Sequence, residues 1–323
     1  MASYRKTKHG WRVEICINRV RDSGTFDTKA AARAWADQRE EQIRSGKAPG
    51  DDTRTVADIF DRYAREVSIK KRGRRWEEVR LLKLSRDPLA AVRLSALTKY
   101  DLIAWRDRQT ISAGSILREM NLLNHAFFMA FDEWQWLTHN PMEGVKRPPP
   151  PQARTRRPSP DEIDRIVLAL GWWEGCQIKE HMQRVAVAYL FAIETGMRAG
   201  EICSLIPEHV DLKARVAHLP MTKNGLARDV PLSKRAIQLL KQLQPWGETV
   251  FRVGVKTLDV LFRRARDACK IENLTFHDSR REAASRLSKK LHPLELARVL
   301  GHTDLDMLLV YYQENASEIA KKL

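Results

Sequence analysis

The sequence predicts a mainly α-helical protein that carries small antiparallel β-sheets. Three observations carry that prediction. Apolar residues recur at helical spacing over most of the 323 positions. Short alternating runs of the strand kind are confined to the start of the chain and to a stretch near Ala214–Leu232. Two composition breaks, turn-rich around 47–53 and proline-rich around 147–160, divide the chain into three units.

The first unit spans residues 1–48. Trp11–Ile17 alternates as a strand does, Gly24–Phe26 reads as a second strand, and Asp27–Arg44 reads as a helix capped by Asp27 or Thr28. A sheet face carrying Arg5, Lys6, Lys8, Arg12, Arg19 and Arg21 suits the major groove of a duplex, or serves a small interaction domain. The second unit, 53–146, is helical throughout. Thr55–Tyr63 has helical apolar spacing, Thr98 caps a helix running past Trp105, and Ala113–Phe131 forms a long helix. Its densest basic run is Lys70, Lys71, Arg72, Arg74 and Arg75, which is expected to face phosphates. Residues 147–158 form an extended linker whose arginines either follow a phosphate backbone or keep the segment solvated. The third unit, 159–323, opens on Ser159 as helix cap with Pro160 at the tolerated first position. Met221–Leu232 reads as strand, Asn-Gly turn and strand, and 316–323 as a terminal amphipathic helix.

A net charge of +16 and an isoelectric point near 9.9 call for a polyanionic partner. No apolar run reaches the roughly 18 residues of a membrane span, and the polar start lacks a signal-peptide pattern. Cys16, Cys176, Cys203 and Cys269 are scattered, which argues against a zinc site or a disulfide framework and fits a reducing cytoplasm. There is no nucleotide-binding glycine loop and no metalloprotease box, so neither a cofactor nor a metal is expected.

The third unit holds an ordered series of polar boxes. These are Arg198 in Thr195-Gly-Met-Arg-Ala-Gly-Glu201, Lys223 beside Asn224-Gly225, His277-Asp-Ser-Arg280, His302 after Gly301, and Tyr311 nine residues on. A phosphodiester gains negative charge as it is attacked, and a guanidinium pairs two phosphate oxygens without losing its proton. Arg198 and Arg280 are the candidates for such a clamp. Arg198 follows an apolar helix and a Thr-Gly turn, where a buried element surfaces. Glu201 either orients Arg198 or is simply exposed.

This ordered series resembles the tyrosine recombinase (phage integrase) family. The resemblance implies that Tyr311 is the nucleophile, since the family places it nine residues after the Gly-His histidine, and leaves Tyr312 as a packing residue. It also implies that Arg198, Arg280 and His302 hold a DNA phosphate while Lys223 and His277 move protons. The second arginine box departs from the family's frequent His-x-Leu-Arg-His, with Ser279 and Arg281 standing in. The first unit resembles the family's arm-binding domain, the second its core-binding domain and the third its catalytic domain. The implied partners are double-stranded recombination sites and further copies of the chain, a dimer on one site and a tetramer in the synapse. DNA-bending or excision proteins are compatible accessories. Integration or excision of a phage or similar element is the implied activity. A binding-only architectural protein and a topoisomerase-like nicking-closing enzyme are the alternatives.

Overall fold

The structure, a computed structural model, describes residues 2–7, 10–17, 20–44, 53–152, 154–221, 227–302 and 304–312. It divides into two compact units, Met1–Gln152 and Ala153–Leu323. The predicted class, mainly helical with small antiparallel sheets, is the one observed.

The first unit begins with strands β1 (Ala2–Thr7), β2 (Gly10–Ile17) and β3 (Val20–Phe26), antiparallel in the order β1-β2-β3. Helix α1 (Lys29–Arg44) follows, and the Thr28 hydroxyl accepts from the Ala31 amide at 3.1 Å, which makes Thr28 the cap. Val13 and Ile15 on one sheet face are buried with Ala32 and Ala36 of α1. Strand β1 was not expected, because basic residues hide its alternation.

The pleat also corrects the single basic face expected of this sheet. Successive side chains point to opposite faces. Arg5 stands opposite Arg12, whereas Lys6 stands opposite Trp11, on the α1 side. Arg12 is moreover paired with Glu14 at 3.1 Å. Lys8 and Arg19 lie outside the described residues, as does the side chain of Arg21.

Helices α2 (Val56–Glu66), α3 (Arg74–Leu84), α4 (Lys99–Asp107) and α5 (Ala113–Asp132) complete this unit. Thr55 with Asp58, and Thr98 with Asp101, form reciprocal capping boxes that start α2 and α4. Phe60, Tyr63, Trp105 and Phe127 fill the core. Within the basic run, Lys71 turns inward and donates to the Tyr63 hydroxyl at 2.6 Å and to Glu77 at 2.9 Å. Arg74 pairs with Glu78 at 2.6 Å, while Lys70, Arg72 and Arg75 are exposed.

The second unit is built round α7 (His181–Thr195), preceded by α6 (Pro160–Ala169). Ser159 accepts from the Glu162 amide at 3.2 Å and caps α6, as expected. Val185 to Tyr189 and Phe191 to Ile193 of α7 are all buried, so this helix is apolar all round because other elements surround it. There follow α8 (Ala199–Cys203), β4 (Val210–Asp211), β5 (Val216–Leu219), β6 (Arg228–Pro231), α9 (Lys234–Gln242), α10 (Val255–Ala268), α11 (Asp278–Leu287), α12 (Pro293–Leu300) and α13 (Asp306–Leu309). Strands β4-β5-β6 form an antiparallel sheet in that order. The first strand of the expected hairpin lies earlier than predicted, ending at Leu219. Its Asn-Gly turn and Lys223 lie outside the described residues, as does 316–323.

Candidate active site

Two helices of the second unit end in left-handed glycines, and each delivers a site residue. Gly196 (φ +67°) closes α7 and leads to Arg198, and Gly301 (φ +65°) closes α12 and leads to His302. Only glycine takes this conformation without steric cost. At Gly196 a Cβ would also run into Leu300.

Arg280 is only 5% exposed, in the first turn of α11. It donates from Nη1 to the Gly196 carbonyl at 2.6 Å, and from Nη2 to the Leu300 carbonyl and to His302 Nε2, the last at 3.0 Å. Both glycine turns are thereby tied to one guanidinium. Burial, then the charges of Arg198 and Arg228, push Arg280 down to about 9, which leaves it cationic at neutral pH.

A guanidinium has no acceptor to offer. His302 Nε2 must therefore accept the Arg280 bond, and the ring proton sits on Nδ1. That Nδ1 is buried without a hydrogen-bond partner among the described residues. Burial, then Arg280, Arg198 and Arg228, hold His302 down at about 4, so the ring is neutral at pH 7. The result is a neutral N–H donor with no acceptor among the described residues.

His277 occupies the cap position of α11, and the Arg280 amide donates to its carbonyl at 3.1 Å. Partial desolvation of the ring, in a residue exposed overall, and then Arg280 and Arg281 hold its imidazole below the ordinary value, so it too is neutral at pH 7 and able to take up a proton. Tyr311 packs against the cluster of Ala284, Leu296, Ala297, Leu300 and Leu308. Burial raises its hydroxyl above the ordinary value, with Arg281, Arg280 and Arg157 pulling the other way. The Tyr312 hydroxyl donates to the Leu291 carbonyl at 2.8 Å.

His277, Arg280, His302 and Tyr311 line one open cavity of about 920 Å³. Arg198 is not among its lining residues, but its charge acts on Arg280, His277 and His302. Glu201, for which two readings were open, is 8% exposed and binds Arg198 through both its backbone amide and Nη1, each at 2.9 Å. Lys223 lies outside the described residues, so its position relative to the cavity is not described.

Several participants had no local sequence signal. Arg228 makes a two-pronged ion pair with Glu201 at 2.9 and 2.8 Å. Asp278, fully buried, accepts from the Thr275 amide at 2.8 Å and from Arg154 Nε and Nη2 at 2.8 and 2.7 Å. Arg157 bonds Ser285, and Arg156 pairs with Glu162. The linker arginines from 154 to 157 thus hold their segment against the second unit, which neither reading of them foresaw. Arg281 lines the cavity and approaches Asp278 only at 3.6 Å. The Arg228–Glu201, Arg154–Asp278 and Arg157–Ser285 contacts join positions far apart in the chain, whose meeting depends on the fold.

The sequence profile of the phage integrase family matches residues 159–318. An integrase/recombinase homologue from Haemophilus influenzae is 37% identical, the match covering 98% of this chain and 89% of the relative. A shufflon-specific DNA recombinase from Escherichia coli is 34% identical over 83% of this chain and 71% of its own. Among solved structures, a lambda integrase dimer bound to a core site superposes with a TM-score of 0.67 at 20% identity, over 95% of this chain and 93% of that one. The Tn1549 transposon integrase with circular-intermediate DNA gives 0.66 at 18%, over 84% and 99%. At those identities the two structures establish likeness of fold. The near-full-length sequence relatives establish descent, and the chain belongs to the phage integrase family of tyrosine recombinases, enzymes that cleave and rejoin DNA.

Proposed function

We propose that the chain carries out conservative site-specific recombination through a 3′-phosphotyrosyl intermediate at Tyr311. The observation that carries this reading is the grouping of Tyr311, Arg280, His302 and His277 round one cavity, with a buried His302 N–H that has no acceptor among the described residues. A non-bridging phosphate oxygen is the acceptor such a donor fits.

In the reaction, Arg198 and Arg280 neutralise the scissile phosphate and His302 donates to it from Nδ1. The Tyr311 oxygen forms a bond to phosphorus while the bond from phosphorus to the 5′-oxygen breaks. The phenol proton passes to His277, and Lys223 supplies the proton that the leaving 5′-oxygen needs. A 5′-hydroxyl of a partner duplex then reverses the step. Bond energy stays in the phosphotyrosine, so neither ATP nor a metal is needed.

In this reading residues 159–323 are the catalytic domain, 53–146 a core-site-binding domain and 1–48 an arm-type DNA-binding domain, joined by 147–158. Dimers would occupy single sites and a tetramer the synapse. Integration or excision of a phage or integrative element is the assigned role.

The test is covalent capture. The protein is incubated with fragmented host and element DNA, quenched in detergent, and the protein-linked DNA is sequenced. Adducts at one junction, abolished in Tyr311→Phe while DNA binding persists, are expected. Adducts spread without sequence preference would shift the assignment to a nicking-closing enzyme. DNA binding with no adduct would leave a binding-only protein.

A further inference from the structure

Arg228 lies outside the cavity and outside the series of boxes, yet its side chain joins three of the elements that frame the site. It leaves β6 with only 8% of the side chain exposed and places Nη1 and Nη2 on the two Glu201 carboxylate oxygens at 2.9 and 2.8 Å. Its Nε donates to the Val299 carbonyl at 3.1 Å, near the end of α12. Glu201 passes the contact on, because the same carboxylate takes the Arg198 backbone amide and Nη1. On the other side Gly301 makes room, since a Cβ there would sit 3.0 Å from Arg228 Nη1 and 3.1 Å from its Cδ.

Arg228 commits all three of its nitrogens to protein groups in this arrangement, and it is buried. That suits a structural joint better than a ligand for DNA. The Glu201 carboxylate stands between the Arg228 and Arg198 guanidinium groups. Burial raises its carboxyl, but the Arg228 bonds and the Arg198 amide outweigh burial and hold it at about 2, so the joint stays charged across the working range of pH. A planar fork is needed to grip both carboxylate oxygens while a third N–H reaches a carbonyl, which a lysine cannot do.

We propose that Arg228 is a positioning residue for strand cleavage. Through Glu201 it sets the direction of the Arg198 guanidinium, and through the Val299 carbonyl it fixes the turn that presents His302. This rests on the assignment of Arg198 as a phosphate ligand. A displacement of about 1 Å in such a group can cost about a hundredfold in rate.

The experiment measures single-turnover adduct formation on a nicked recombination site recovered by the covalent capture. The scissile linkage is an ordinary phosphodiester or a methylphosphonate, which lacks the negative charge that Arg198 neutralises. Wild type, Arg228→Gln, Arg228→Lys and Arg198→Ala are compared, with DNA affinity and circular dichroism measured on each. Both Arg228 variants are expected to bind DNA within about twofold of wild type and to cleave the phosphodiester about a hundredfold more slowly. On the methylphosphonate the deficit should shrink to under about tenfold, in parallel with Arg198→Ala. Arg228→Lys keeps the charge, so it answers the question if Arg228→Gln does not fold. Cleavage at the wild-type rate by a folded Arg228 variant overturns the proposal, and so does an equal deficit on both linkages. If the wild type forms no adduct, the recombinase reading itself fails, a result distinct from either.

Discussion

Tyr311 and Tyr312 are neighbours of identical chemistry, and their surroundings separate them. On a helical turn they point about 100° apart. Tyr312 spends its hydroxyl on the Leu291 carbonyl, while no hydrogen bond engages the Tyr311 hydroxyl among the described residues. The family resemblance singled out Tyr311, but a bond between positions so far apart in the chain as Tyr312 and Leu291 carries no local pattern. Glu201 makes the same point, since its link to Arg198 spans one helical turn whereas its link to Arg228 does not. The Glu201 carboxyl lies at about 2 instead of the ordinary 4.5. A carboxyl depressed in the folded state contributes stability that is present above pH 4.5 and is lost as pH falls toward 2. That contribution is roughly 3 kcal/mol. Glu201→Gln should therefore lose about this much stability at pH 7 and flatten the acid limb, as read by urea denaturation over a pH series. An unchanged acid limb would show that the pair does not control it.

At the scale of elements, helices were legible because their signals are local. Thr98, Ser159 and the apolar run in α7 act within a few residues of themselves. Strand β1 was not, because Arg5 and Lys6 break the apolar alternation that marks a strand, and cross-strand partners are set by the fold. The segment before α6 is instructive in the same way. Its prolines and arginines read as an extended linker that follows a phosphate backbone or stays solvated, yet Arg154 donates twice to Asp278, a carboxylate with 0% exposure next to His277. Removing one partner of such a pair strands a buried charge. Arg154→Met should cost roughly 3 kcal/mol in thermal or urea unfolding. It should also slow adduct formation, because Asp278 opens the helix that holds Arg280. Asp278→Asn with Arg154→Met should recover part of the stability, whereas additive losses would mean that the two side chains act separately.

For the whole molecule, charge was the clearest message of the composition, and the structure distributes it selectively. Lys71, Arg74, Arg154, Arg156 and Arg228 are engaged in internal pairs whose acidic partners the net +16 already counts, so the excess charge resides on other basic side chains. Exposed Arg5, Lys70 and Arg75 are better placed to meet phosphates. A protein neutralising 6–10 phosphates loses roughly a thousandfold or more in affinity between about 50 and about 200 mM salt. Fluorescence anisotropy across that range should give such a slope for wild type. Replacing Lys70 and Arg75 with Gln should reduce the slope by about one to two, and Lys71→Gln should leave it nearly unchanged. A steep dependence on Lys71 would mean that its inward arrangement opens on DNA.

The glycine before His302 also links two distant positions through inheritance. Its missing side chain is the space that Arg228 occupies. In a relative with a small residue at 228, position 301 gains room for asparagine, which tolerates the same backbone turn. The two positions should therefore change together among descendants of a common ancestor, so that what a motif scan reads as a solitary glycine is half of a correlated pair.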